Sequence, residues 1–119
     1  MNNQELLAVE KTLSALNLSD TDEKTAYSMF KNLLAVRKKS QALREAVNEM
    51  LQAHKVKQEN GAVDITTKEG KAFMESYRKL MAEDAGFSPE KVDPEAAYGI
   101  CRSAKMGMGE SADFCEIFA

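Results

Sequence analysis

The stretch from Asp22 to Gln58, DEKTAYSMFKNLLAVRKKSQALREAVNEMLQAHKVKQ, decides the fold. Within it Met29, Leu33, Val36, Ser40, Leu43, Val47, Met50 and His54 alternate steps of four and three, the spacing of a helix seam packed against other helices. No Gly or Pro interrupts the run before Gly61, so the spacing predicts one long helix over residues 22–58, stopped by Asn60-Gly61. At 1.5 Å per residue that helix is about 55 Å long. A compact chain of this size has a radius of gyration of only about 13.5 Å. The helix is therefore expected either to bend near Arg37 to Gln41, where the seam turns polar, or to overhang and hide its surplus in a partner or a second copy.

Upstream, Leu6, Val9, Leu13 and Leu16 place an apolar stripe on a helix from about Asn3 to Asn17, with Asn2 and Glu5 as its capping box. The crowded capping residues and acids from Ser19 to Glu23 mark the junction with the long helix. Downstream, Thr66 and Glu69 offer a capping box for a third helix carrying Phe73, Tyr77, Leu80 and Met81, ended by Gly86. Ser88-Pro89 and Asp93-Pro94 each set a capping side chain before a proline at a first helical position. They predict a short helical turn and then a fourth helix to about Lys105. Met106-Gly107-Met108-Gly109 reads as a flexible hinge, followed by an apolar C-terminal segment over residues 110–119. Alternating strand patterns do not extend beyond Ala62 to Thr66. The expected fold is all-α, a small bundle of about four to five helices in one domain, 1–119, which 119 residues with 44% hydrophobic content can support.

Chemical motifs are sparse. Gly107 to Ala112 matches the dinucleotide pattern G-x-G-x-x-A but follows no strand. Ser-x-x-Lys occurs at Ser28, Ser76 and Ser88, too often to be specific and without the companion motifs that pair needs. Asp20-Thr21-Asp22 opens like a calcium loop, yet Lys24 and Thr25 stand where a ligand and the turn glycine belong. One His and two Cys do not make a structural zinc site without a carboxylate or a second chain. Nothing in the sequence brings His54 to Cys101 as base beside nucleophile. The expectation is no cofactor, no metal and no catalytic residue.

Charge is segregated. From Lys24 to Arg44 there are six bases and no acid, while from Glu83 onwards acids outnumber bases eight to three. Arg37, Gln41, Arg44, Asn48 and Lys55 share one helical face. This face either is solvated and pairs with the acidic end of its own chain, or meets an acidic partner. A net charge of -3 and the lack of interleaved aromatics make nucleic acid the weaker partner. The apolar end, with Phe114, Ile117 and Phe118, must be tied down on its own core or on a partner.

The first ten residues lack a secretory signal, and no run reaches the ~20 apolar residues of a membrane span, so the chain is read as cytoplasmic without a membrane partner. The two cysteines read as free thiols. Together these features predict a non-enzymatic protein-binding module: an adaptor, assembly factor or inhibitor, phage-encoded ones among them. It would engage another protein or a second copy through Arg37, Lys38, Lys39, Gln41, Arg44, Phe114, Ile117 and Phe118. The alternative is a binder of nucleic acid or an anionic small ligand through the basic stripe.

Overall fold

A computed structural model of the protein describes residues 1–56, 58–59 and 61–119. Its described residues form an all-α fold with five helices in the order α1 (Asn3–Ser14), α2 (Glu23–Ala53), α3 (Lys68–Ala82), α4 (Pro94–Ser103) and α5 (Met108–Phe118). Between α2 and α3, β1 (Gln58–Glu59) pairs antiparallel with β2 (Ala62–Val63), with Gly61 at φ +80° beside the pairing.

The expected caps set the helix starts. Asn2 and Glu5 bond reciprocally, Glu5 N–H to Asn2 Oδ1 at 2.8 Å and Asn2 N–H to Glu5 Oε1 at 3.2 Å. Asp22 accepts from the Thr25 amide at 3.0 Å to open α2, and this bond holds its carboxyl below the usual carboxylate range. Asp93 accepts from the Glu95 and Ala96 amides, with Pro94 opening α4.

Helix ends depart from the sequence reading. Helix α2 stops at Ala53, five residues short of Gln58, and His54 lies beyond it. Lys55 takes φ 52°, its N–H bonds to Gln52 O, and Val56 N–H reaches back to Leu51 O. That is a Schellman closure with lysine in the left-handed position. Lys57 and Asn60, which the expected helix and its stop included, lie outside the described residues. Helix α4 closes in the same way, with Lys105 at φ 56°, Lys105 N–H on Arg102 O and Met106 N–H on Cys101 O. Helix α1 ends at Ser14, before the expected Asn17.

Two starts also differ. Asp64 captures both the amide and the hydroxyl of Thr66, so Thr67 caps α3 instead, accepting from Gly70 N–H at 3.0 Å. A Cβ at Gly70 would collide with the Asp64 carbonyl, which makes glycine obligatory in this first turn. Ser88-Pro89 opens no helix, because the Glu90 amide such a turn would cap is donated to Asn32. Met108 and Gly109, read as part of a hinge, are the first residues of α5, and Gly107 is its N-cap.

The chain divides into two compact units, and α1 and α2 each contribute to both. One comprises residues 1–7 and 38–86. Its buried apolar residues are Leu6, Leu43, Phe73 and Met81, and its chain start is laced to the end of α3 by Asn3 N–H to Glu83 O and Ala85 N–H to Met1 O. The other comprises residues 8–37 and 87–119, and buries Val9, Leu13, Met29, Val36, Ala97, Ile100, Cys101, Phe114 and Phe118.

Candidate functional site

The expected seam of α2 faces inward throughout: Met29, Val36, Ser40 and Leu43 are buried, and Leu33, Val47, Met50 and His54 half-buried. A neighbouring face, one residue on from the seam, carries a second stripe that the sequence reading missed. Tyr27, Phe30 and Leu34, at steps of three and four, are 61%, 53% and 51% exposed. On a helix this spacing usually marks a packed face. Here the packed face is the other one, which leaves two aromatics and a leucine in solvent.

The same face of α2 continues through Arg37, Gln41, Arg44 and Asn48, all exposed, again at steps of four and three. Tyr27, Phe30, Leu34 and Arg37 belong to the unit of residues 8–37 and 87–119, and Gln41, Arg44 and Asn48 to the other. Lys38 is exposed and Lys39 half-buried. Lys55 does not extend the stripe, since the helix has ended before it. Arg37 also donates to Ser14 Oγ at 3.4 Å, so part of its hydrogen-bonding capacity is used within its own unit.

Part of the charge segregation serves the fold. Lys31 Nζ meets Glu90 Oε2 at 2.8 Å and Ser28 Oγ donates to Glu90 Oε1 at 3.0 Å. The Lys31 bond and then the Ser28 bond hold the Glu90 carboxyl below its ordinary range, and the same contact raises Lys31. Lys31 Nζ also lies 4.8 Å from the centre of the Tyr27 ring, a cation–π distance that steadies this exposed aromatic.

The C-terminal residues expected to meet a partner are spent on the chain's own core. Phe114 and Phe118 are 4% and 1% exposed, their rings 4.9 Å apart, and Ile117 is half-buried. Burying two phenylalanines is worth more than leaving them exposed, so both serve the core and present only a few per cent of their surface outward. Their packing leaves a groove of about 220 Å³ between α1 and α5. Ala8, Val9, Thr12, Met106, Phe114, Ile117 and Phe118 line it, together with the acids Glu110 and Asp113.

Among the described residues no three His, Cys, Asp or Glu side chains gather as a metal-binding group. His54 and Cys101 belong to different units. Cys101 is buried, which pushes its thiol up and away from the reactive thiolate. No described helix is long and apolar enough to cross a membrane. No family model, no curated protein and no solved structure matches this chain.

Proposed function

We propose that the protein is a non-enzymatic helical binding module whose docking surface is the Tyr27–Phe30–Leu34 face of α2. The observation that carries this reading is three large apolar side chains, each more than half exposed, in register on one well-formed helix. Such i, i+3, i+7 anchors are how one helix lies against another or into a groove. The bases between Lys24 and Arg44 favour a partner whose apolar contact is bordered by acids. Aromatic anchors beside a charged border make a compact hot spot, in which a few residues supply most of the binding energy.

The test is the double substitution Phe30→Asp with Leu34→Asp. Both sites are exposed, so the thermal midpoint should hold within the roughly 0.5 kcal/mol typical of surface changes. A protein retained from native lysate by the wild-type chain should be lost by the variant. Equal retention by both would overturn the assignment of this face.

A polyanion is the second reading, favoured by the exposed Tyr27 and Phe30 lying among Lys24 and Lys31, since bases can stack on aromatics within a basic surface. It requires binding to a single-stranded oligonucleotide that falls steeply with salt.

A further inference from the structure

We infer that the face formed by Tyr27, Phe30 and Leu34 is received by the α1–α5 groove of a second copy of the same chain, giving a face-to-groove contact. The inference rests on the docking face proposed above and supplies its partner.

The groove has the complementary chemistry. Its lining is mainly apolar, from Val9 on α1 and Phe114, Ile117 and Phe118 on α5, with Thr12, Glu110 and Asp113 as the polar members. At about 220 Å³ it is smaller than the ~300–1,000 Å³ of sites for drug-sized ligands, a scale suited to inserted side chains. Electrostatics agree in sign. Helix α5 carries three acids, Glu110, Asp113 and Glu116, and no base, and the first two line the groove. The α2 segment from Lys24 to Arg37 carries three bases, Lys24, Lys31 and Arg37, and no acid. Lys31 is paired with Glu90 at 2.8 Å, so the positive field an approaching surface meets comes chiefly from Lys24 and Arg37, and it reaches over the ~8 Å Debye length at physiological salt.

Face and groove both lie in the unit made of residues 8–37 and 87–119, on different elements. Two copies that exchange face and groove reciprocally close as a two-fold dimer, whereas a single pairing leaves one groove and one face unused and continues as a ring or an open chain. Three anchor residues fall short of the ~800 Å² per partner of a standard interface, so the contact is weak and strengthens with concentration.

Complementary variants test this on the full chain by sedimentation velocity. One variant removes the face, Phe30→Asp with Leu34→Asp. The other reverses the charge of the groove, Glu110→Lys with Asp113→Lys, and a third, Ala8→Trp, plugs the groove without changing charge. The wild-type mass should rise with concentration and fall back with added salt. Each variant alone should stay monomeric, while an equimolar mixture of the face variant with either groove variant should form a one-to-one dimer and nothing larger. Groove variants that still self-associate alone would show face-to-face pairing and overturn the inference. A wild-type chain that is monomeric up to on the order of 1 mM would overturn it too, leaving the docking face intact if the face variant still loses a lysate partner. Self-association unaffected by any variant, with lysate capture equally unaffected, would sink both readings.

Discussion

The side-chain amide of Asn32 pairs with the main chain of Glu90 as a neighbouring strand would: Asn32 Nδ2 donates to the Glu90 carbonyl at 2.9 Å, and the Glu90 N–H donates to Asn32 Oδ1 at 2.8 Å. Asn32 is 3% exposed, so neither bond is readily replaced by water. The pair fixes the segment between α3 and α4, which has no helix or strand of its own, against α2.

Replacing Asn32 by Ala should therefore cost more than an ordinary surface change. Two main-chain groups lose their partners, and about 2–4 kcal/mol of stability should disappear in urea denaturation. Asn32→Asp keeps an acceptor for the Glu90 amide but sets a buried carboxylate against the Glu90 carbonyl, so at neutral pH it should be no more stable than Asn32→Ala. Equal stability for all three would show that this pairing is not what holds the segment.

Acid should weaken the same region. The Glu90 carboxyl titrates below its unfolded value because of Lys31 first and Ser28 second, so its contribution is present above the unfolded pKa of roughly 4.3 and is lost as pH falls through the depressed one. Asp22, lowered by the Thr25 amide, acts in the same direction. Lys31 is raised, so its share is present below roughly 10.4 and is lost as pH rises through the raised value. Glu90→Gln should flatten the acid limb of a plot of melting temperature against pH. A parallel limb would assign the acid sensitivity elsewhere.

The two lysines at left-handed helix ends offer a gain. Lys55 and Lys105 hold φ of 52° and 56°, where a side chain is disfavoured and glycine is not. Lys55→Gly and Lys105→Gly should each raise stability by up to about 1 kcal/mol, measured by thermal melting. Gly70→Ala should do the opposite, since a methyl there meets the Asp64 carbonyl; a loss of about 1–3 kcal/mol is expected.

The apolar C-terminus provides the largest effect. Phe114→Ala or Phe118→Ala should remove about 3–5 kcal/mol, the usual cost of truncating a buried phenylalanine. Near-wild-type stability would mean that the aromatic pair is not part of the working core.

What the sequence reveals follows the range of the forces involved. The α2 seam from Met29 to Met50 and the Asn2 and Asp93 caps are local patterns found where the spacing places them, and within the capping cluster before α2 it is Asp22 that caps. Features set by distant residues are not legible in the same way. Asn32 reads as an ordinary polar helix position, and only a segment 58 residues away makes it a buried clamp. That clamp also takes the amide that Ser88-Pro89 would have used to start a helix. Similarly, the 27–30–34 spacing is visible in the sequence, but which of two apolar faces is covered depends on what packs against α2. Lysine in a Schellman closure carries no compositional warning, so α2 reads through to Gln58 when it ends at Ala53.

The three residues after Pro89 have a kinetic consequence. Glu90 is held by α2, Lys91 Nζ reaches the Ile117 and Glu116 carbonyls at 2.6 and 3.2 Å, and Val92 N–H bonds the Phe118 carbonyl at 2.7 Å. The last turn of α5 thus cannot fray without also releasing a piece of irregular chain clamped from its other side. In deuterium, the amides of Glu90 and Val92 should exchange at the slow pace of helix interiors. The rate at Val92 should follow that of the closing amides of α5, so that an irregular but clamped connector and a terminal helix open as one body.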